Sequence, residues 1–73
     1  MNEKHFCIAA VKTDTGWKRL KIENDCKRDL CAEIIKEAAK LLESDPAAVR
    51  LHWGAVLEDN RRVGSYFIGR SGK

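Results

Sequence analysis

The stretch RLHWGAVLEDNRRVGSYFI, residues 50–68, decides the fold of this chain. Its opening residues are typical of a strand, and Gly54 then offers a position where the chain can turn. The residues AVLE (55–58) are enough for a short further strand, and Asp59 and Asn60 form a turn pair. The stretch therefore predicts two short strands that follow one another closely along the chain.

Two longer strands are predicted upstream of this stretch. HFCIAAVK (5–12) has apolar residues on both faces, which is typical of a strand that is central in its sheet or well covered. TDTG (13–16) has the composition of a turn, and WKRLKIE (17–23) alternates Leu20 and Ile22 with charged residues. We expect these strands to form a hairpin, with one face of the second strand in water.

A single helix is predicted between this hairpin and the opening stretch. Apolar residues recur at helical spacing from Leu30 to Leu42. We expect Asp29 to cap the start of the helix and the sequence SDP (44–46) to end it. The third strand is expected to follow directly, in the residues AAVRLHW (47–53).

The alternation of the third strand assigns its side chains to two sides of the sheet. Val49, Leu51 and Trp53 are expected to point into the core. Arg50 and His52, between them, are expected to point outward. The third strand thus places one basic residue and one histidine on a solvent-facing surface.

The composition limits the class of protein. With 73 residues the chain is long enough for one domain, residues 1–73, and the 44% of apolar residues is typical of a folded chain. The longest uncharged apolar run, residues 6–11, is too short to cross a membrane, and the first residues lack the apolar core of a signal peptide. We therefore expect a protein of the cytoplasm or the nucleus.

The three cysteines and the charged residues show no pattern of a metal or catalytic site. An odd number of cysteines without a secretory signal favours free thiols, and the spacing of Cys26 and Cys31 does not match a zinc site. Paired carboxylates, glycine-rich phosphate loops and nucleophile–histidine arrangements are not visible. The sequence therefore predicts no enzyme, no cofactor and no metal.

The opening stretch also resembles a known family. The string Leu-Glu-Asp-x-Arg (57–61), followed by Tyr-x-Ile (66–68), is similar to the corresponding segment of ubiquitin and ubiquitin-like domains. VKTDTG (11–16) is loosely similar to the first hairpin of ubiquitin, and the likeness spans residues 6–68 with one residue deleted before Gly54. The resemblance implies an α+β fold, a ubiquitin-like β-grasp of order ββαββ, with a mixed sheet packed on one helix.

The last strand of that fold, which is central in the ubiquitin sheet, is missing or replaced in this sequence. The chain can be a fragment of a larger protein. The sheet can instead close by pairing its first and third strands, or with residues 66–70 inserted as a substitute strand. A strand from another molecule, through augmentation or swapping, is the third explanation. The first two are favoured because proteins normally cover exposed sheet edges within the chain.

The departures from ubiquitin carry the functional expectation. Asp14 and His52 stand where ubiquitin has two apolar residues of its recognition patch, and the chain ends in Gly72-Lys73 rather than in the Gly-Gly needed for conjugation. The resemblance therefore implies a non-conjugatable interaction module, part of a larger protein, that docks reversibly onto ubiquitin–proteasome or related machinery. The expected partner-binding residues are Lys12, Asp14, Trp17, Arg50 and His52.

Two alternatives remain open at this stage. The first is a β-grasp of the Ras-association type or one that binds nucleic acid, with Lys18, Arg19 and Lys21 as a basic edge. The net charge of +3 disfavours nucleic acid, because a nucleic-acid surface needs basic residues that are clustered and interleaved with aromatic ones. The second alternative is a homo-oligomer formed by strand exchange.

Overall fold

The computed structural model describes residues 4–71, and they form an α+β fold with one helix packed on one five-stranded sheet. The elements are β1 (Lys4–Thr13), β2 (Gly16–Asn24), α1 (Lys27–Leu42), a short 3-10 turn (Pro46–Ala48), β3 (Val49–His52), β4 (Ala55–Glu58) and β5 (Arg61–Ser71). The strand order in the sheet is β2-β1-β5-β4-β3. The predicted hairpin, helix and two short strands are confirmed, and the plan is β-grasp-like.

The centre of the sheet is filled by β5, which lies between β1 and β4. Residues 66–70 belong to this strand, so the described chain closes its own sheet by the substitute-strand route. All four strand pairings are antiparallel, and the expectation of a mixed sheet is wrong. The reason is the tight turn at Asp59 and Asn60, because a two-residue connection returns the chain beside β4 in the antiparallel direction.

Two turns in the second half of the chain have the left-handed backbone that tight hairpins require. Trp53 and Gly54 have φ of 50° and 82°, and Asp59 and Asn60 have φ of 51° and 67°. Positive φ at both central residues defines the turn whose twist matches that of the flanking strands. Glycine, asparagine and aspartate adopt this conformation at low cost, whereas a tryptophan does not.

The helix begins three residues before the expected position, so the prediction of Asp29 as its N-cap is wrong. The N-cap is Cys26, which makes no side-chain capping bond. Asn24 organises this end: its Oδ1 accepts a hydrogen bond from the Cys26 N–H at 2.9 Å, and its Nδ2 donates to Glu33 Oε1 at 2.9 Å. Asp29 lies in the first helical turn, where its charge is favourable at the positive end of the helix dipole.

The other end of the helix is capped by the backbone. The helix ends at Leu42, and Glu43 takes the left-handed conformation with φ of 56°. The Ser44 N–H then donates to the Ala39 carbonyl oxygen at 2.9 Å, which satisfies one of the terminal carbonyl groups. The end of the helix thus lies just before the residues predicted to stop it, at positions 44–46.

The core lies between α1 and the inner face of the sheet, which we define as the side that contacts α1. Its fully or almost fully buried side chains are Cys7, Ala9, Val11, Leu30, Ile34, Ala38, Ala39, Val49 and Val56. Leu20, Leu51 and Tyr66 pack around them and are half-buried. All nine buried side chains are apolar or cysteine, and two residues of the helix, Leu30 and Ile34, are the largest of them.

One predicted core residue lies in solvent. Val49 is buried and Leu51 is half-buried, as expected, but Trp53 is 89% exposed. The prediction for Trp53 is wrong because β3 ends at His52. The strand alternation stops there, and Trp53 is the first residue of the turn to β4.

Among residues 4–71 the only α-helix, α1, is neither long enough nor apolar enough to cross a bilayer.

Candidate binding face on the outer side of the sheet

One face of the sheet has no covering layer among the described residues. We call this side, opposite α1, the outer face. In β1 the inward residues Cys7, Ala9 and Val11 are buried, and the intervening Phe6, Ile8, Ala10 and Lys12 therefore belong to the outer face. Directly paired residues of neighbouring strands share a face, so the strand register extends this assignment across the sheet.

The register arranges the outer face in rows that cross the strands. Ile8 pairs with Lys21 of β2 and with Phe67 of β5, which makes a row of three side chains. The next row consists of Arg19, Ala10, Ser65, Ala55 and His52, one from each strand of the sheet. Neighbouring members of a row are about 5 Å apart, because this is the spacing of strands in a sheet.

Four large apolar side chains are exposed among residues 4–71, and at least three of them belong to the outer face. Trp17 is 63% exposed, Phe67 64% and Ile8 44%, and all three are assigned to this face by their pairing. Trp53 is the fourth, and it contacts the outward-facing His52. Large apolar side chains grouped on one exposed surface are typical of an interaction site.

Two phenylalanines form an aromatic cluster on β1 and β5. The ring centroids of Phe6 and Phe67 are 6.3 Å apart with the planes tilted by 55°, and Lys21 Nζ lies 5.8 Å from the centre of the Phe6 ring. Gly69 makes room for this cluster, since a Cβ there would lie 2.7 Å from Phe6 Cζ. We call Phe6, Phe67 and Lys21, together with the adjacent Ile8, the aromatic cluster.

A shallow depression lies beside the aromatic cluster. It has a volume of about 260 Å³ and is bordered by Ile8, Arg19 and Phe67. Ala10 and Ser65, the small residues of the adjacent row, also line it. The combination of small side chains with a ring and a guanidinium group at the border provides space for a flat group against the sheet.

A second group of exposed side chains lies at the β3 edge of the sheet. Arg50 and His52 point outward, as the sequence predicts, because the alternating Val49 and Leu51 face the core. The rings of His52 and Trp53 meet edge to face, with centroids 5.9 Å apart and an interplanar angle of 86°. We call Arg50, His52 and Trp53 the hairpin-tip patch.

The expected partner-binding residues do not form one compact patch. Lys12 and Trp17 are cross-strand partners on β1 and β2. Arg50 and His52 lie on β3, three strand positions away from β1, or about 14 Å at the usual spacing. Asp14 lies in the turn between β1 and β2. Four of the five residues share the outer face, in two groups separated by β5 and β4.

The expected basic edge of β2 is divided between the two sides of the strand. Arg19 and Lys21 pair with outward residues of β1 and belong to the outer face. Lys18 pairs with the buried Val11, so it projects on the opposite side, where it lines a small depression with Leu42 and Glu43 at the end of the helix. Only two of the three basic residues can therefore contact one ligand on the outer face.

The charges of the two exposed sides of the molecule differ. By strand register the basic residues of the outer face are Lys4, Lys12, Arg19, Lys21, Arg50 and Arg62, and Glu23 is the acidic one. The helix and its ends carry Lys27, Arg28, Lys36 and Lys40 with Asp25, Asp29, Glu33, Glu37, Glu43 and Asp45. The modest net charge of the chain is therefore unevenly distributed: the outer face is basic, and the helical side carries both basic and acidic residues.

The three described cysteines are free thiols. Burial raises the pKa of the Cys7 thiol to about 11, with a further contribution from the nearby Cys31. Cys26 is exposed at the start of the helix and Cys31 is half-buried. Within residues 4–71 no group of three or more His, Cys, Asp or Glu side chains is placed to hold a metal ion.

Several outer-face residues have no role in the sequence-based expectation. From the sequence, Phe6 and Ile8 are predicted to lie in a covered strand, and Phe67 is predicted to belong to the segment that closes the fold. Trp53 is predicted to be the last inward-facing residue of the third strand. One signal could have identified them. β1 is apolar on both faces, and a chain with a single predicted helix can cover only one face of its sheet.

Comparisons of this chain with protein-family models, with curated proteins and with solved structures give no match.

Proposed function

We propose that the chain is a non-catalytic interaction module that binds a protein partner reversibly through the hairpin-tip patch. The observation that supports this proposal is the position of Trp53. Its side chain is 89% exposed, so it contributes little to the core. A tryptophan with these properties at the end of a hairpin is a typical anchor for a protein partner, because tryptophan and arginine dominate the energetics of such interfaces.

The backbone of Trp53 supports the same proposal. Its φ of 50° is a conformation that a bulky side chain adopts at a cost of about 1 kcal/mol or more. Asparagine or glycine would form this turn with less strain. Residues held in unfavourable conformations concentrate at functional sites, and folding gives no reason for a tryptophan here.

The resemblance of residues 6–68 to ubiquitin-like domains supports a more specific partner. On this basis the partner is a receptor of the ubiquitin–proteasome machinery or of a related system, in the cytoplasm or the nucleus. The chain acts as a ubiquitin-like interaction domain that docks onto this receptor. His52 and Asp14 replace apolar residues of the ubiquitin patch, so its receptors differ from those that need an apolar surface.

Lys12 and Trp17 form a second contact in this proposal. They lie on the same outer face as the hairpin-tip patch but at the other side of the sheet. A partner that covers both groups spans all five strands from β2 to β3, whereas a small partner contacts one group only. The two groups can therefore be tested separately.

The direct test is a ¹⁵N–¹H spectrum of the 73-residue chain, titrated with ubiquitin-receptor domains and a proteasomal receptor. We expect shifts at Arg50, His52, Trp53 and their neighbours, with or without shifts at Lys12 and Trp17. Trp53→Ala should weaken binding by about 30-fold or more, as expected of an anchor residue. Shifts confined to the helix, or no shifts with any receptor, would contradict the proposal.

A matched variant separates the anchor role of Trp53 from a general effect of removing a tryptophan. Trp17 is also exposed and lies at the opposite side of the sheet. For a receptor that contacts only the hairpin-tip patch, Trp17→Ala should leave the affinity within about twofold. Equal losses in both variants would show that the partner covers the whole outer face.

A further inference from the structure

We propose that the β2–β1–β5 half of the outer face binds single-stranded nucleic acid, with a base stacked on Phe67 and phosphate groups held by Arg19 and Lys21. This inference goes beyond the protein-docking function, since it uses other residues at the other side of the sheet. It rests on three observations: the exposed rings, the depression beside them and the charge of the face.

The first observation is an exposed ring on a rigid strand. Phe67 is 64% exposed although it lies on β5, the central strand of the sheet. Its contact with Phe6 covers only part of it. Exposed aromatic rings on a sheet bind single-stranded nucleic acids because every base has a flat surface that can stack on them. The strand fixes the ring in place, which reduces the entropy lost on binding.

The second observation is the space next to this ring. The depression of about 260 Å³ is lined by the small residues Ala10 and Ser65 and bordered by Phe67. A base stacked against Phe67 would lie over these two residues, and the Ser65 hydroxyl could donate or accept a hydrogen bond at the base edge. Arg19 borders the same depression, where its guanidinium can reach a phosphate of the same nucleotide.

The third observation is the interleaving of basic and aromatic residues. Lys21, Ile8 and Phe67 form one row, and Arg19 with Ala10 and Ser65 forms the next. The sequence places these residues far apart along the chain, and antiparallel pairing of β1 with β2 and β5 brings them together. The resulting surface has the clustered charge and aromatic residues that a nucleic-acid surface requires.

The charge of the outer face favours single-stranded nucleic acid over a second copy of the chain as the ligand. Within the described strands the outer face has six basic residues, Lys4, Lys12, Arg19, Lys21, Arg50 and Arg62, against one acidic residue, Glu23. Two copies of this face would repel each other. An acidic peptide satisfies the charge but has no regular series of flat rings, so it does not use the exposed Phe67 or the depression beside it.

The test is a fluorescence-anisotropy titration of the 73-residue chain with a labelled oligouridylate of about eight nucleotides, a length suited to a single small domain. An acidic peptide of similar net charge and a DNA duplex are titrated in parallel. We expect the oligouridylate to bind best. Its affinity should fall with salt with a slope near −2 in a log–log plot, about −0.7 for each of the phosphate contacts made by Arg19, Lys21 and a neighbouring basic residue.

Two pairs of variants test the stated roles. Phe67→Ala should weaken oligouridylate binding at least fivefold. Phe67→Leu removes the aromatic ring but keeps an apolar side chain. It should weaken binding almost as much, because stacking requires the ring. Lys21→Gln should weaken binding and reduce the salt slope by about 0.7. Lys36→Gln, which removes the same charge from the exposed side of the helix, should leave both values unchanged.

Three outcomes would overturn the inference: no binding of oligouridylate at low salt, unchanged affinity in Phe67→Ala and Phe67→Leu, or equal binding of the acidic peptide or the duplex. The spectrum of each variant shows whether it is folded, and Phe67→Leu, the milder change, decides if Phe67→Ala unfolds. Trp53→Ala separates this inference from the proposed function, since it should weaken receptor binding by about 30-fold or more and leave oligouridylate binding within about twofold.

Discussion

Alternate residues of β1 meet two different environments. Cys7, Ala9 and Val11 are buried under α1, whereas Phe6 and Ile8, which are at least as apolar, lie on the uncovered outer face. Folding accounts for the first set, because a helix on one side of a sheet requires an apolar inner face. It gives no reason for the second set. The comparison therefore indicates that the inner face maintains the fold and that the outer face is available for binding.

The largest expected effect is on the inner face. Leu30 is fully buried and is one of the two largest core side chains. Leu30→Ala should lower the free energy of unfolding by about 2–5 kcal/mol, because it removes buried methyl groups and leaves a cavity. In so small a domain this is a large share of the total stability, and urea denaturation followed by circular dichroism would measure it.

The matched change on the outer face is Phe67→Ala. It removes a larger side chain, but one that is mostly exposed, and we expect a loss below about 1 kcal/mol. A loss as large as that of Leu30→Ala would break the comparison, because it would show that Phe67 belongs to the structural core.

Two glycines of β5, Gly64 and Gly69, allow a second comparison of the inner and outer faces. A Cβ on Gly64 would lie 2.0 Å from the Ala10 carbonyl oxygen, in the backbone of the neighbouring strand. Gly64→Ala should therefore destabilise the fold by about 3 kcal/mol or more, because the strand backbone cannot move aside easily. Thermal unfolding would measure this effect.

At Gly69 the nearest obstacle is a side chain. A Cβ there would meet the ring of Phe6, with the Cζ atom at 2.7 Å. Because this ring lies on the open side of the sheet it can rotate away, and Gly69→Ala should cost only about 1 kcal/mol. Equal losses at Gly64 and Gly69 would mean that the outer face is packed as tightly as the inner one.

Titration of Cys7 reports on the inner face. Burial raises its pKa from 9.0 to about 11, so the folded chain keeps the thiol proton at a pH where the unfolded chain has lost it. Stability from this group is complete below pH 9 and is lost as the pH rises to 11. The loss should reach about 3 kcal/mol. The Cys7→Ala variant should lose less stability between pH 9 and 11. If the free energy of unfolding fell equally with pH in both proteins, titration of Cys7 would not be the cause.

The sequence predicts the elements of this fold better than their arrangement. Alternation and helical spacing are local patterns, so the strands of the hairpin and the short strand at 55–58 are found where they were expected, and the helix differs only in its first residues. The place of β5 depends on the turn at Asp59 and Asn60 and on pairing with β1, which is distant in sequence. The resemblance to ubiquitin-like domains, which have a mixed sheet, therefore led to the wrong expectation for the strand directions in the sheet, which is antiparallel throughout the described strands.

The candidate site was predictable only in part. Arg50 and His52 point outward because local alternation determines their side. The grouping of Phe67 with Arg19 and Lys21 could not be inferred, because it requires the register of β1 with both of its neighbours. Trp53 was misplaced because one residue decides whether the strand continues or turns.

The smallest expected effect on stability is at Trp53, where an effect on folding and an effect on binding should have opposite signs. Asparagine is among the residues that adopt positive φ with least strain, so Trp53→Asn should raise the free energy of unfolding, by at most about 1 kcal/mol. The same change should reduce receptor binding by about 30-fold, because it removes the exposed anchor. A variant that folds better and binds worse would assign Trp53 to function. If Trp53→Asn instead destabilised the chain, the contact between Trp53 and His52 would be part of the fold, and the hairpin-tip patch would lose its main support.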